Sequence, residues 1–491
     1  MRKSGILCGL MLLILAQASA TTDVPADSVR FTGHQPEYAG INLVFERYSN
    51  FIIPESVPVA SMRIDDNGHF DFTFALAEPT YIFADLGRFR ASAYIEPGKS
   101  YQLVFPPFQP RTQSERINPH FQPEEVMLGI ANREAQLLNR NITEFDAMFD
   151  YLFHGNAVEL FVHSNADKAK EIQTRLDTLF TFSHPTFDRH KELRYLKLWH
   201  MTLRRQDRRF ISEYLSHSPI NYNLPAFWDI FTTLFTGFFP GKYSDDARES
   251  LLSSIRNRER FDSIANNAAK DTLFTNNREL NESVVLFALY EAFYRKDLAE
   301  NTILAITASA RDYASTANTR ALATQFYRKM ALLRPGTDAP DFSLIDQDGK
   351  RRQLEDFKGK FVYLNFVHTK SFNCLRDLQT LEQFQRVFRR ELQLVTIVID
   401  DHYEDMELFL KNNKQYKWDF LHFGASPRVL FDYNIQAVPA YYLIDPNGKL
   451  SLSPAPAPEE NFRELFVDRL RSFQREELRR NPPRERSIFR W

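Results

Sequence analysis

The chain has very little cysteine: Cys8 and Cys374 are the only two among 491 residues. Cys8 lies in an apolar N-terminal stretch that we predict to be removed, so the mature protein would keep one thiol and form no internal disulfide. Charge is not in excess either, since 61 Lys and Arg residues face 63 Asp and Glu residues. This balance excludes a general affinity for nucleic acids.

Long hydrophobic runs are missing after the N-terminus. No later stretch approaches the about 18 apolar residues that cross a bilayer, so no transmembrane span is expected in the mature chain. The N-terminus itself has a basic start at Arg2 and Lys3, an apolar stretch over residues 5–16 and small residues at 18–20. These features predict a secretory signal peptide over residues 1–20, and hence an exported protein, periplasmic in a Gram-negative bacterium.

The patterns that are present predict a multidomain protein, since domains have about 100 to 200 residues each. Residues 21–111 alternate apolar and polar residues between turn signals such as the acidic cluster before Gly68. This alternation predicts an all-β sandwich. Residues 112–333 change to a helical period, as at Phe145, Phe149 and Leu152. They predict a central all-α domain.

Residues 334–478 contain several motifs in a recognisable order. They are Gly-Thr-Asp-Ala-Pro-Asp-Phe over residues 336–342, an apolar run over 361–366 typical of a buried parallel strand, Ser-Phe-Asn-Cys over 371–374, and Val438-Pro439. This order resembles the TlpA-like and ResA-like thioredoxin-fold disulfide reductases, in the form found in Bacteroidetes. The resemblance implies an α/β thioredoxin-like domain. In that fold, the strand over residues 361–366 leads into a helix that begins at the redox motif.

The redox motif is incomplete. By the resemblance, Ser371 stands at the position of the attacking cysteine, while Cys374 keeps the second cysteine position. A dithiol reductase needs two sulfurs, because one attacks the substrate disulfide and the other resolves the mixed disulfide. The sequence therefore predicts no dithiol reductase activity from this chain alone.

The positions that contact a substrate in this family can still be identified in this chain. The resemblance implies that Val438-Pro439 is a cis-proline peptide facing the redox loop. It also assigns substrate docking to Phe372 and Asn373 beside that peptide. We therefore expect a protein that binds protein clients or envelope partners, in which Cys374 is a small buried hydrophobic residue.

The alternative is a redox enzyme that uses Cys374 alone, either as a peroxidase or through mixed disulfides. Peroxiredoxins share the fold and carry Thr/Ser-x-x-Cys, which Ser371 and Cys374 match. Their preceding proline is replaced here by Val367, and their later arginine position is taken by Pro439. Two other arginines, Arg376 and Arg428, are candidates to approach the thiol.

His368 could be drawn as a general base for a serine nucleophile at Ser371. The sequence supplies no acid to orient this histidine and no oxyanion motif, so a loop histidine at a degenerate site is the preferred interpretation.

No metal or cofactor is predicted. His184, His190 and His200 are spaced by six and ten residues, which does not place them on one helical face. The chain ends in a basic tail over residues 479–491 that contains five arginines. Such a tail could contact anionic lipid headgroups or an acidic partner, although a solvated tail is the ordinary case.

Overall fold

The protein is described here from a computed structural model. The structure describes residues 24–480 except 113, 114, 117, 119, 120, 204 and 205. The predicted signal peptide lies outside the described residues, as does the basic tail beyond Arg480.

The N-terminal region consists of two β-sheets that share one hydrophobic core. Its strands are β1 (Ser28–His34), β2 (Asn42–Tyr48), β3 (Ser56–Arg63), β4 (His69–Ala75), β5 (Thr80–Leu86), β6 (Phe89–Ile95), β7 (Ser100–Val104), β8 (Glu124–Met127) and β9 (Gly129–Ile130). One sheet has the order β4-β1-β7-β9 and the other β3-β2-β5-β6-β8. Alternate residues of both sheets, such as Phe31 and Phe45, point into the core because side chains alternate along a strand.

The last two strands differ from the sequence interpretation, which ended the sandwich at residue 111. β8 and β9 lie after that boundary and complete the two sheets by pairing with β6 and β7. Their pairing depends on partners far away along the chain, and β9 has only two residues. A local hydrophobic period therefore carried little signal for either strand.

A helical region follows. Its α-helices are α1 (Leu137–Gly155), α2 (Ala166–Leu179), α3 (Pro185–Thr202), α4 (Asp207–Tyr214), α5 (Pro225–Phe235), α6 (Asp245–Arg256), α7 (Phe261–Ala268), α8 (Arg278–Arg295), α9 (Glu300–Tyr313) and α10 (Ala317–Ala331). A π-helical segment, Val158–Val162, lies between α1 and α2. The apolar faces of these helices meet in one hydrophobic core rich in phenylalanine.

The β region and the helical region are packed together. Tyr94 of β6 belongs to the helical core. The side chain of Asn139 in α1 donates to the Tyr94 carbonyl oxygen at 2.8 Å and accepts from its backbone N–H at 2.7 Å. Both backbone groups of Tyr94 are thereby satisfied away from water, which buried amides require.

The C-terminal region is an α/β domain around a seven-stranded sheet of order β11-β10-β14-β13-β12-β15-β16. Its strands are β10 (Ser343–Asp346), β11 (Arg351–Gln353), β12 (Phe361–Val367), β13 (Leu392–Val398), β14 (Asp419–His422), β15 (Ala440–Ile444) and β16 (Leu450–Leu452). Its helices are α11 (Phe372–Phe388), α12 (Tyr403–Asn412), α13 (Arg428–Asp432) and α14 (Phe462–Arg480). β12, β13 and β14 are parallel neighbours, and β12 is buried along its whole length.

The predicted fold class is confirmed: β-sheets, then helices, then a C-terminal α/β domain. Among the helices of the described residues, none combines the length and the hydrophobicity that a membrane span requires.

Candidate functional site

The candidate site lies where the central strand β12 ends and α11 begins. Ser371 is the N-cap residue of α11, and its side chain makes no capping hydrogen bond. Phe372, the first helical residue, is 77% exposed, and Asn373 is exposed as well. The first turn of α11 thus presents a serine, a phenylalanine and an asparagine at the surface.

The Val438-Pro439 peptide lies beside this turn. β15 pairs antiparallel with β12 so that Ala440 is opposite Phe366, which brings the residues just before β15 next to the end of β12. The Val438-Pro439 bond is cis, as the resemblance implied. Val438 and Pro439 are both partly exposed, and Val438 packs against the hydrophobic cluster that contains Cys374.

Cys374 points away from this surface. Its side chain is completely buried, with an exposed fraction of 0%, in a core shared with Tyr363, Leu378 and Tyr441. Ser371, at the position that the resemblance assigns to the attacking cysteine, is partly exposed, whereas the Cys374 sulfur is not exposed.

A buried carboxylate lies one turn further along α11. Asp377 is 2% exposed and accepts a hydrogen bond of 2.5 Å from the Tyr441 hydroxyl. Burial and this hydrogen bond raise the pKa of Tyr441 well above its ordinary value. The phenol therefore stays protonated at neutral pH, and the Tyr441–Asp377 pair ties the docking strand β15 to α11 beneath the surface.

The sequence interpretation missed one residue that organises the loop before Ser371. Asp400, completely buried after β13, accepts from the Thr369 backbone N–H at 3.0 Å and from the Thr369 hydroxyl at 2.5 Å. It also lies 2.8 Å from Nδ1 of His368. Asp400, which follows the neighbouring parallel strand 32 positions away in the sequence, thus contacts the His368 ring, whereas Nδ1 of His368 accepts its hydrogen bond from the Lys370 backbone N–H at 3.2 Å.

Asp400 holds the loop in place, and among the described residues no hydrogen bond joins the His368 ring to the Ser371 hydroxyl. The hydrogen bonds that the structure gives to His368 and Lys370 stabilise the turn: the Ser371 backbone N–H donates to the His368 carbonyl oxygen at 3.0 Å. Lys370 is paired with Asp405 of α12 at 3.1 Å. The polar contacts around Ser371 are those of a structured turn.

The two arginines considered for a peroxidase site have other partners. Arg376 lies 3.3 Å from Asp377 and 3.7 Å from Glu459. Arg428, with a side chain that is 80% exposed, lies 3.4 Å from Asp432. Both arginines therefore form ion pairs with carboxylates. Neither of them supports the peroxidase interpretation.

The histidines that the spacing argument set aside each lie beside a carboxylate. His184, His190 and His200 pair with Glu96, Asp146 and Asp207 at 2.7, 2.9 and 3.1 Å. Across the described ranges of the chain, no group of three or more His, Cys, Asp and Glu side chains is placed to hold a metal ion.

His422, at the end of β14, contacts Asp400 and is expected to make the stability of the protein depend on pH. Its Nε2 donates to the Asp400 carbonyl oxygen at 2.8 Å and its Nδ1 accepts from the Gly424 N–H at 3.1 Å, which is the pattern of a neutral imidazole. Burial lowers the pKa of His422, and burial likewise lowers the pKa of His200. In the unfolded chain, each of these histidines binds a proton more readily than it does in the folded protein. The stabilisation that comes from keeping the two histidines neutral is therefore present above about pH 6.5 and is lost as the pH falls through the folded-state pKa values.

We therefore expect the free energy of unfolding to fall when the pH is lowered from about 7 to about 5. Urea unfolding at a series of pH values measures this slope. His422→Gln should reduce the slope, whereas His217→Gln, at an exposed position, serves as the control. Equal slopes in both variants would contradict the role of the His422 tautomer.

Comparison with known proteins agrees with this geometry. Residues 335–453 match the AhpC/TSA family. The thiol-disulfide oxidoreductase ResA of Geobacillus kaustophilus is 26% identical over 129 residues, which cover 26% of this chain and 72% of that protein. ResA of Bacillus subtilis is 31% identical over 117 residues, which cover 23% of this chain and 64% of that protein.

Among solved structures, the thioredoxin domain of a thiol-disulfide oxidoreductase from Bacteroides vulgatus is 24% identical, with a TM-score of 0.26; the match covers 28% of this chain and 97% of that domain. The family match and the ResA relatives show that the C-terminal domain is a thioredoxin-like domain similar to thiol-disulfide oxidoreductases of the ResA type, which confirms the resemblance drawn from the motifs. These matches concern about a quarter of the chain.

Proposed function

We propose that the thioredoxin-like domain is a protein-binding module, which recognises protein clients or envelope partners and has no dithiol reductase activity. The observation that carries the proposal is the contrast between an accessible Ser371 at the attacking position and a completely buried Cys374. A thiol with no exposed surface cannot reach a substrate disulfide, and a hydroxyl does not replace a thiolate.

Several features support recognition without chemistry. The exposed first turn of α11 and the partly exposed Val438-Pro439 peptide offer apolar and polar groups on adjoining elements. Asp400 and the Tyr441–Asp377 pair hold these elements in place, so a bound segment would meet a preorganised surface. The N-terminal residues support export, and the basic tail supports contact with anionic lipid or an acidic partner.

The absence of reductase activity is tested with insulin as the disulfide substrate. We expect the mature protein to add nothing to the rate with dithiothreitol alone, because it keeps a single thiol, Cys374, which is buried. Cys374→Ala should behave identically. Turnover by the wild-type protein that disappears in Cys374→Ala would support the one-cysteine enzyme and refute the proposal.

The binding surface is tested with reduced, carboxymethylated α-lactalbumin, which is unfolded and has no free thiol. We expect Phe372→Ala to weaken binding about 5- to 10-fold, because truncating an exposed aromatic anchor costs about 1 kcal/mol or more. Val387→Ala is the matched control: Val387 is 62% exposed and lies near the other end of α11. If the wild-type protein does not bind, or if both variants bind equally, this surface is not a recognition site.

A further inference from the structure

The outer side of α14, the last helix of the thioredoxin-like domain, is strongly basic. Residues 469–480 contain five arginines and two glutamates, which give this segment a net side-chain charge of +3. Arg471, Arg475 and Arg479 are spaced by four residues, and they therefore project from one side of the helix together with Leu478. These four residues are called here the basic face of α14.

The opposite side of α14 anchors the helix to the domain. The Phe466 ring packs against those of Phe361 and Phe388 at 5.5 and 5.2 Å between centroids, and the Phe473 ring packs against that of Phe361 at 5.5 Å. Because these contacts fix the helix, the basic face is turned to solvent. Its three arginines are exposed, and Leu478 is 59% exposed.

The arginines of the basic face have no carboxylate partner within the part of the chain that the structure describes. Arg475 donates to the Arg471 carbonyl oxygen and to the Ser472 hydroxyl, both at 3.3 Å. Arg471 and Arg479 form no ion pair with any described carboxylate. Three guanidinium groups are thus available to an external partner.

The acidic residues of α14 do not neutralise the basic face. Glu476 and Glu477 lie 3.8 and 4.0 Å from Arg480, which is outside the basic face. Glu464 and Asp468 belong to the first two turns of the helix. If Asp468, which lies one turn before Arg471, is counted with the face, its charge is still +2, so the face favours an anionic partner.

Two features favour a lipid surface as this partner. Leu478 is an exposed apolar side chain among the arginines, and basic helices with exposed apolar groups are typical of segments that lie on membranes. Outside the described residues, the chain continues with three more arginines and with Ile488, Phe489 and Trp491. Aromatic residues of this kind are enriched at membrane interfaces.

We propose that the basic face of α14 binds the anionic headgroups of a lipid surface. The inference rests on the export proposed above and extends the lipid contact of the basic tail to an ordered helix, while it does not depend on client binding. Phe361, which α14 contacts, begins β12, whereas Ser371 follows the other end of that strand, about 20 Å away. Lipid binding at α14 therefore leaves the docking surface free.

The test measures sedimentation of the mature protein with phosphatidylcholine vesicles that contain or lack phosphatidylglycerol. We expect binding only where phosphatidylglycerol is present, and loss of this binding at about 1 M salt, where charges are screened beyond about 3 Å. The triple variant Arg471→Gln, Arg475→Gln, Arg479→Gln should bind about 100-fold more weakly. The reason is that each basic residue near an anionic surface strengthens binding about fivefold.

The matched control is the triple variant Arg133→Gln, Arg175→Gln, Arg256→Gln, which removes the same charge from three exposed positions elsewhere on the chain. It should bind as the wild-type protein does. Since all six replaced side chains are exposed, both variants should keep the wild-type midpoint of urea unfolding. Deletion of residues 481–491 separates the basic face from the tail, and the shortened protein should still bind phosphatidylglycerol vesicles.

Four results would overturn the proposal. The first two are no binding to phosphatidylglycerol vesicles and equal weakening by the two triple variants. The third is binding that the deletion abolishes and the basic-face variant leaves unchanged, which would keep the lipid contact of the tail but remove the role of α14. The fourth is binding of polyglutamate but not of vesicles, dependent on the three arginines, which would identify an acidic protein partner.

Discussion

Ser371→Cys is expected to convert the site into a working dithiol. Ser371 and Cys374 are three positions apart at the start of α11, and helix geometry places Cα atoms three positions apart at about 5 Å, within the about 4.4 to 6.8 Å range of a disulfide. The new thiol would be at a helix N-terminus, where the helix dipole favours a thiolate. We expect oxidation to form the disulfide, and insulin reduction to rise about 10-fold or more above the wild-type rate.

Thr380→Cys is a matched control for this experiment. It also adds one thiol to α11, but six residues along a helix correspond to about 9 Å, beyond the about 7 Å limit between the Cα atoms of a disulfide. The disulfide is detected as a mass loss that dithiothreitol reverses. A Ser371→Cys protein that stays a dithiol after oxidation would show that this loop has departed from the geometry of a disulfide reductase.

The second large effect concerns the reactivity of Cys374. Its thiol has no exposed surface, so alkylation requires the surrounding core to open. Since opening of a core costs several kcal/mol in a protein of ordinary stability, we expect iodoacetamide to label Cys374 about 100-fold or more slowly in the native protein than in denaturant. Mass spectrometry of the intact protein over time measures both rates.

Reduced Ser371→Cys provides the internal comparison for this rate. One of its two thiols is expected to react quickly because it lies at the accessible start of α11, and the other slowly, as in the wild type. Rapid native labelling of the wild-type protein, or a sulfenic acid after mild peroxide treatment, would instead support the one-cysteine enzyme.

Several features of this protein follow from local sequence alone. The apolar run that forms β12 is a pattern of neighbouring residues, so this strand could be predicted, and the family resemblance implied the helix α11 after it. The incomplete motif is likewise visible without a structure, since Ser371 and Cys374 are read directly from the chain. The cis bond at Val438-Pro439 was implied by resemblance, because its order relative to the other motifs identifies the fold.

Tertiary structure decided what surrounds these elements. Asp400 meets Thr369 and His368 only because β12 and β13 are parallel neighbours, and no local period marks a contact across 31 or 32 residues. The hydrogen bond between Asp377 and Tyr441 likewise joins residues that are 64 positions apart in the sequence. The burial of Cys374 also depends on where the whole sheet lies against α11. Sequence periodicity reports which face of an element is apolar, whereas the partner of a buried polar group is set by the packing of elements that are distant along the chain.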